Sequence, residues 1–316
     1  MRIGVLTNLR AGKSVPIDRI MPVLRAHPDV LHAETENAEA VPEALATLAQ
    51  QGTELLVVNG GDGTLQHTLT ELLTSGEYQR LPLVAPLRGG RTNMTALDLG
   101  AHRSPATSLE QLIAAVRGSH LDERVVQRPV LRIETRSGRV RYGMFFGAGM
   151  IHRAISLTHR LFPTGKSHGV LGAGLVTASL ITKAGFHPTE GILKPDKVQI
   201  LLDGEMVPHG EFYLAIATSL TRLFLRMNPF WGSGPGPVRF TAVASNAKRV
   251  PRSAIGALRG HPLPFVTQET GYTSRNVEHA QLHLECGFTI DGEIFEPNTH
   301  DAVLLSADHR LRFVRA

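Results

Sequence analysis

Short apolar runs alternate with segments of helical spacing in the first part of the chain. Continuous apolar runs bounded by turn signals predict buried strands, here at 3–6, 54–59 and 81–85. Apolar residues at the helical period predict helices at 17–26, 41–48, 65–73 and 108–116. Strand followed by helix, repeated in this way, predicts a parallel sheet with helices on its faces.

The pattern changes after about residue 125. Short β-rich segments, several of them alternating with charged residues, predict antiparallel strands at 130–135, 139–146, 197–202, 212–217, 238–243, 281–284 and 288–290. Two helical stretches, at about 151–161 and 170–184, interrupt them. We therefore predict the fold class α/β plus β, with an N-terminal parallel-sheet α/β domain and a larger β-rich sandwich domain whose boundary lies near residue 125.

Composition narrows the class of protein. Of 316 residues, 42% are hydrophobic, and 33 Lys and Arg against 28 Asp and Glu leave a net charge of +5. This small excess argues against a nucleic-acid partner. The single cysteine, Cys286, excludes an internal disulfide and fits a reducing cytoplasm. The longest uncharged stretch, 169–182, is too short to span a bilayer, and the N-terminus lacks the pattern of a signal peptide.

The second predicted strand, 54–59, runs directly into a glycine turn, Gly60-Gly61-Asp62-Gly63-Thr64. Glycines allow the backbone N–H groups of such a turn to approach an anion closely, and the following helix dipole adds a favourable field. The turn is therefore a candidate phosphate cradle, in which Asp62 meets a magnesium ion or positions a polar group. The alternative is a tight strand-to-helix connection without a ligand.

Two familiar phosphate motifs fail on spacing. Gly12-Lys13-Ser14 ends like a P-loop, but Thr7 stands where that motif requires its first glycine. The dinucleotide fingerprint fails because Gln66 occupies the position of its third glycine.

Four segments in order carry a resemblance to a known family. The stretch 57–65 resembles the signature of the diacylglycerol kinase catalytic-domain family, the soluble bacterial lipid kinases related to sphingosine kinases. The loop 7–13 is similar to that family's first-strand loop, and 86–100 is similar to its second loop. Near the C-terminus, Asp291-Gly292-Glu293 matches the family's Asp-Gly-Glu motif and is followed by a last strand at 311–314. NAD kinases and phosphofructokinases share the glycine turn.

The resemblance implies an ATP-dependent lipid kinase that transfers the γ-phosphate to a hydroxyl of diacylglycerol or a related lipid, with ATP and Mg²⁺ as cofactors. It implies that residues 1–125, with a returning C-terminal strand at about 301–316, form an NAD kinase/phosphofructokinase-like nucleotide-binding domain. Residues 126–300 would present the lipid hydroxyl across a cleft. Glu293 is implied as the catalytic base and Asp62 as the second catalytic residue. The nucleotide-binding residues expected on this basis are Asn8, Leu9, Arg10, Ala11, Gly12, Thr35, Gly60, Gly61, Asp62, Gly63, Thr64, Leu65, Gln66, Arg91 and Asn93.

The chain departs from the family pattern at several positions. Gln66-His67 replaces an Asn-Glu pair, Arg91 replaces a threonine and Met94 replaces an acid. Arg91 either binds phosphate through its guanidinium fork or is a solvated side chain. The segment 232–237 has no counterpart of the Asp-rich turn that holds a structural magnesium in the bacterial enzymes. We therefore expect no second metal site.

The assignment of the base has a competitor. A second Asp-Gly-Glu occurs at Asp203-Gly204-Glu205. Asp-Gly between β-rich flanks is also a strong hairpin signal, so either copy can be a type I′ turn without a catalytic role. The C-terminal copy is favoured by the family order alone.

Residues 216–275 hold eight Lys or Arg against one acid, Glu269, and the part from 222 to 231 mixes large apolar groups with positive charge. This composition is typical of contact with an anionic membrane surface, and the alternative is a solvated loop that covers the core. The sequence thus predicts a cytoplasmic, membrane-peripheral lipid kinase. An NAD kinase-like enzyme with a soluble acceptor, or a nucleotide-binding protein without transfer activity, stay as alternatives.

Overall fold

The computed structural model describes residues 1–11, 16–161, 191–296 and 301–316. The helix predicted at 170–184 and the predicted site residue Gly12 lie outside these ranges. The chain divides into two compact units. The first comprises Met1–Pro129 and Arg310–Ala316, and the second comprises Val130–His309. None of the helices in the described ranges has the length and apolar character needed to cross a membrane.

A parallel sheet flanked by helices forms the first unit. Its strands are β1 (Ile3–Asn8), β2 (Leu31–Thr35), β3 (Leu55–Asn59) and β4 (Leu83–Pro86), and its helices are α1 (Pro16–Ala26), α2 (Val41–Gln50), α3 (Asp62–Thr74), α4 (Met94–Asp98) and α5 (Pro105–Arg117), with a 3₁₀ turn at Asp122–Arg124. The strands stand in the order β2-β1-β3-β4. Next to β4, Phe313 of the last strand pairs in parallel with Val84.

Local sequence explains these helices. In α2 the buried residues Val41, Ala44, Leu45 and Leu48 recur at helical spacing and face the sheet side of the core. Full burial of one valine or leucine side chain is worth about 1.5–3 kcal/mol. At α5 the side chain of Ser104 accepts a hydrogen bond from the Thr107 amide at 3.3 Å, which caps the helix start.

Antiparallel strands dominate the second unit. They are the later part of β5 (Val125–Thr135), β6 (Val140–Gly143), β7 (Phe145–Gly149), β8 (Asp196–Leu202), β9 (Glu205–Met206), β10 (Glu211–Thr218), β11 (Val238–Ala244), β12 (Tyr272–Val277), β13 (Ala280–Leu284), β14 (Phe288–Ile290), β15 (Glu293–Phe295) and the first part of β16 (Asp301–Val314). The helices are α6 (Met150–Leu161) and α7 (Val250–Leu258), with 3₁₀ turns at Gly191–Leu193 and Gln268–Thr270. A further turn, at Phe224–Arg226, is left-handed at Leu225 and Arg226. One run of neighbours is β15-β14-β7-β10-β11-β12, and another is β9-β8-β13-β16. Inward-facing aromatic residues such as Phe146, Phe212 and Phe240 fill the core.

The predicted fold class is confirmed, with a parallel α/β part followed by a larger antiparallel part. The strand predicted at 139–146 is two strands, β6 and β7, separated at Met144. The amides of Met144 and Phe145 donate to the Asp291 carboxylate there. The sequence pattern also did not reveal β2, α4, β12 or α7, because these elements are short or mostly polar and lack a clear period.

Candidate functional site

The carboxyl ends of the parallel strands meet at one edge of the first unit's sheet. Asn8 stands opposite Thr35, and Thr7 stands opposite Asn59. The Leu9 amide donates to the Thr35 carbonyl at 2.8 Å. This edge is where open parallel sheets bind ligands, and it brings together the predicted residues Asn8, Leu9 and Thr35 and the start of the glycine turn.

The glycine turn ends in an uncapped helix. Gly61 is extended (φ −92°, ψ −175°) and precedes α3 without a side-chain cap. The first backbone bond of α3 runs from the Leu65 amide to the Gly61 carbonyl at 3.0 Å. Among the described residues no acceptor engages the amides of Asp62, Gly63 and Thr64. Three free amides at the positive end of a helix dipole favour an anion.

A second glycine pair packs directly against this turn. A Cβ added at Gly90 would lie 2.3 Å from the Gly61 Cα, and one at Gly89 would lie 2.8 Å from the Gly60 nitrogen. The atoms met are backbone atoms of the turn, so the second loop cannot carry a side chain at 89 or 90 without moving. A Cβ at Gly61 would lie at an ordinary 3.4 Å from the Gly90 Cα. Gly89 and Gly90 therefore allow the second loop to pack closely on the turn, a role that sequence analysis missed although this glycine pair was its signal.

Asn93 fixes the shape of the second loop. It adopts the left-handed conformation (φ 52°) at the start of α4, which asparagine tolerates better than most residues. Its side-chain oxygen accepts from the Gly90 amide at 2.7 Å, and its side-chain nitrogen donates to the Gly90 carbonyl at 2.9 Å. Asn93 was predicted to bind the nucleotide, but its side-chain oxygen and nitrogen both make hydrogen bonds within the loop.

Asp62 joins the two loops. Its carboxylate accepts from the Met94 amide at 3.0 Å and from the Thr95 amide at 3.3 Å. Burial raises the pKa of Asp62, and the amide hydrogen bonds, including one from Asn93, act in the opposite direction. Asp62 therefore caps the first turn of α4 while it begins α3.

The loop after β1 is attached to the same helix. The Asn8 side chain donates to the Thr64 hydroxyl at 2.9 Å and accepts from the Arg10 amide at 2.9 Å. The Ala11 amide donates to the Asn8 carbonyl at 3.2 Å. Arg10 itself is exposed and forms an ion pair with Glu36 at 2.9 Å. Asn8, Arg10, Ala11 and Thr64 are thus brought together around the start of α3.

The remaining predicted residues of the first unit differ in accessibility. Leu65 and Gln66 are buried, and the Gln66 side chain donates to Thr70 of the same helix at 3.0 Å. Arg91 is partly exposed and makes no hydrogen bond or ion pair with another described residue. Of these three side chains, that of Arg91 has donors that no described residue engages, and a guanidinium binds phosphate oxygens well.

A small pocket of about 190 Å³, partly open to solvent, lies between the glycine turn and α4. Much of this volume is open to solvent, and the enclosed part is about 10 Å³, room for about one water molecule. The pocket is therefore too small to enclose a nucleotide. Nearby, the buried hydroxyl of Thr95 has no hydrogen-bond partner in the described residues. The lining residues are Val58, Gly60, Gly61, Asp62, Leu65, Pro86, Leu87, Asn93 and Ala96.

Both Asp-Gly-Glu segments of the second unit are two-residue hairpins. Asp291 and Gly292 have φ values of 50° and 92°, and Asp203 and Gly204 have values of 50° and 84°. Ile290 pairs with Glu293 across the turn between β14 and β15, and the turn between β8 and β9 has the same register. Positive φ at both central positions is the type I′ geometry that Asp-Gly favours.

The two glutamates have different surroundings. Glu205 is 70% exposed and forms an ion pair with Arg275 at 2.6 Å. Glu293 is partly buried, and in the described part of the chain its carboxylate makes no hydrogen bond or ion pair. Two residues on, Phe295 stacks on Phe288 and lies beneath the Arg141 guanidinium at 4.5 Å. Glu293 therefore keeps its acceptor atoms available, whereas those of Glu205 are engaged.

No group of three or more His, Cys, Asp or Glu that could hold a metal ion occurs in the described ranges. The segment 232–237 packs its backbone on β12 instead. A Cβ at Gly232 or Gly234 would lie 2.1 or 2.0 Å from the carbonyl oxygens of Ser274 and Asn276. Glycine is required here for close approach.

Comparison with known proteins agrees with the motifs. Residues 2–120 match the family model of the diacylglycerol kinase catalytic domain, so the resemblance predicted from the sequence is confirmed. No curated protein matches the chain.

Three solved structures from Bacillus anthracis str. Sterne are similar over the whole chain. All are named as diacylglycerol kinases, two of them provisionally. Their TM-scores are 0.69, 0.61 and 0.66 at 18%, 17% and 18% identity, with 100% of this chain and 95%, 97% and 97% of the other chains covered. At this identity the likeness establishes the fold.

Proposed function

We propose, from the match of residues 2–120 to the diacylglycerol kinase catalytic domain, that the chain transfers the γ-phosphate of ATP to a hydroxyl group of diacylglycerol or a related lipid. The observation that carries this proposal is the uncapped start of α3 at the carboxyl edge of the parallel sheet. Free amides at such a helix end suit the phosphates of a nucleotide.

The first unit supplies the nucleotide-binding residues in this proposal. The amides of Asp62, Gly63 and Thr64 receive a phosphate group, and Arg91 approaches another phosphate oxygen with its guanidinium. Asn8 and Asp62 act through the loops that they hold in place, since both carry hydrogen bonds that fix neighbouring backbone. Positioning of phosphates accounts for much of the catalysis in phosphoryl transfer.

Magnesium fits this arrangement as a companion of the nucleotide. Mg²⁺ usually keeps several waters and binds through one or two carboxylates together with substrate phosphates, and Asp62 is the acidic side chain that lines the small pocket. When bound, Mg²⁺ neutralises developing charge on the phosphates. The described residues offer no cluster of acids for a second ion.

Glu293 is the proposed general base. The acceptor hydroxyl oxygen forms a bond to the γ-phosphorus, the bond from that phosphorus to the ADP oxygen breaks, and Glu293 takes the hydroxyl proton. Its availability supports this role, because no described residue engages its carboxylate. Glu205 is unsuited, since Arg275 holds it in an exposed ion pair.

We expect this activity in the cytoplasm, at the surface of a membrane that contains the lipid. The decisive experiment incubates the purified chain with Mg²⁺, ATP labelled at the γ-phosphate and a mixed lipid extract. Label that moves into the organic phase and chromatographs as a phosphorylated lipid supports the proposal. Label that stays in an aqueous product, or ATP binding without any transfer, contradicts it.

A further inference from the structure

Exposed apolar residues lie in a basic part of the chain. Of the six large hydrophobic residues that are exposed in the described ranges, three lie in this part: Leu225 (54%), Ile255 (64%) and Leu263 (36%). Single exposed apolar residues are ordinary. Here, however, residues 216–275 also hold eight basic residues against the single acid Glu269, so the two properties coincide.

The loop that carries Leu225 has an unusual backbone. Leu225 and the following Arg226 have φ values of 55° and 57°, although neither is glycine. This conformation is unfavourable for a residue with a Cβ. Hydrogen bonds from the Leu223 amide to the Met227 carbonyl at 2.8 Å and from the Met227 amide to the Phe224 carbonyl at 3.2 Å close the loop. The fold thus holds an apolar and a basic side chain outward.

The loop is anchored to α7 and to the sheet. The Arg239 guanidinium donates to the carbonyls of Leu220 and Thr221, both at 3.0 Å, and also to the Asn228 side chain. The Asn228 amide in turn donates to the Leu258 carbonyl at the end of α7 at 2.8 Å. The loop and α7 therefore form one surface.

One face of α7 continues the same chemistry. Arg252, Ile255 and Arg259 are spaced by three and four residues, so they share a face of the helix, and all three are exposed. Ser253 is the one buried residue of α7. We define the docking face as Leu225, Arg226, Arg252, Ile255 and Arg259.

The charges on this face are not neutralised by neighbours. Arg239 is committed to backbone carbonyls, and Arg275 is paired with Glu205 at 2.6 Å. In contrast, Arg226, Arg252 and Arg259 are exposed and form no ion pair with another described residue. Unpaired positive charge around exposed aliphatic groups is complementary to a surface that is anionic outside and apolar inside.

We propose that the docking face binds an anionic lipid bilayer, with Leu225 and Ile255 entering the headgroup region and the arginines contacting lipid phosphates. The choice of a bilayer over another anionic partner rests on the proposed lipid kinase function.

The test measures co-sedimentation of the full chain with vesicles of phosphatidylcholine alone and with added phosphatidylglycerol, at low and high salt. Wild type binds the anionic vesicles, and binding falls with salt because exposed charges are screened. Ile255→Asp lowers binding about tenfold or more, since an aliphatic contact is lost. Arg252→Gln and Arg259→Gln each lower it about fivefold.

Met206→Asp is the matched control. Met206 is 56% exposed and lies outside the docking face, so this variant binds like wild type. Thermal unfolding confirms that each variant is folded, and kinase assays with diacylglycerol in neutral detergent micelles separate docking from transfer. If micelle activity is absent while vesicle binding follows the expected variants, the kinase proposal fails and the docking face stands.

The docking face is overturned if wild type does not bind anionic vesicles, or if Ile255→Asp and Met206→Asp bind equally well. It is also overturned if light scattering reveals a self-association that Ile255→Asp abolishes without any vesicle binding, because the face then joins copies of this chain. Binding to RNA in place of vesicles has the same consequence.

Discussion

The two Asp-Gly-Glu hairpins of the second unit share a tripeptide, a turn geometry and a register, yet their acidic side chains do different things. In the hairpin of β14 and β15, buried Asp291 accepts from the amides of Met144 and Phe145 at 2.8 and 2.9 Å. In the hairpin of β8 and β9, exposed Asp203 accepts from the amides of Glu278 and His279 at 3.0 and 2.8 Å. The two aspartates therefore make similar pairs of hydrogen bonds and differ in burial.

The same contrast extends to the glutamates. Arg275 engages Glu205 at the surface, whereas no described residue engages Glu293. A carboxylate that is held on a fixed turn and left unpaired is suited to accept a proton. A carboxylate that is already in an ion pair is not. The tripeptide alone does not determine function; its neighbours do.

The largest effect is expected from Glu293→Gln. If Glu293 takes the proton, turnover of lipid phosphorylation falls by about 10²–10⁴-fold while ATP binding changes little. Glu205→Gln is the matched control and keeps turnover within a few-fold. Steady-state rates with labelled ATP, together with ATP titration by calorimetry, measure both. Equal rates for the two variants would remove the distinction between the hairpins.

The next effect concerns stability. Asp291→Ala leaves the Met144 and Phe145 amides buried without an acceptor, and each such group costs about 1–3 kcal/mol. Asp203→Ala exposes its two amides to water, so we expect a loss of about 1 kcal/mol or less. Denaturant unfolding measures the free energy of unfolding for both. Similar losses of unfolding free energy in the two variants would mean that burial does not set the strength of these hydrogen bonds.

Cys286 lies between β13 and β14, just before the hairpin of β14 and β15, so its reactivity is a probe of burial there. Burial raises the pKa of its thiol from 9.0 to about 11, so about 100-fold less thiolate forms at neutral pH than for an ordinary cysteine. The thiol ionises at a higher pH in the folded protein than in the unfolded chain. Its ionisation therefore leaves the free energy of unfolding unchanged below about pH 9 and lowers it as the pH rises from 9 toward 11.

Alkylation of Cys286 by iodoacetamide should therefore be slow in the native protein and fast in denaturant. We expect Asp291→Ala to speed native alkylation and Asp203→Ala to leave it unchanged, as measured by mass spectrometry against time. Rapid alkylation of the wild type would contradict the burial on which the comparison rests.

The smallest effect is expected from Arg275→Gln, which removes the ion pair of Glu205. Exposed ion pairs contribute about 0–1 kcal/mol, so the free energy of unfolding should change by no more than this. The change should shrink further at high salt, because exposed charges are screened. A loss of several kcal/mol in thermal or denaturant unfolding would show that the ion pair of the β8–β9 hairpin is important for stability.

Sequence analysis predicted the fold class and the glycine turn from local pattern. From the Asp-Gly backbone preference it gave a type I′ turn as the alternative to a catalytic role at both Asp-Gly-Glu segments. It did not reveal that Gly60 and Gly61 pack on Gly89 and Gly90, or that Asp62 caps α4. These contacts join segments about thirty residues apart, and backbone atoms take part in each of them. No periodicity of side chains records such contacts, and the roles of Glu293 and Asp62 stay predictions.

The glycine and proline alternation of 232–237 has a consequence for the outermost strand. Among the described strands β12 pairs with β11 alone, and its free side receives the glycine segment, with the Asn276 amide donating to the Ser233 carbonyl at 3.1 Å. Pro235 and Pro237 have no N–H to offer a further chain. The covered edge of β12 therefore does not offer free backbone groups for pairing with a strand of another molecule, which protects the unit against aggregation through this edge.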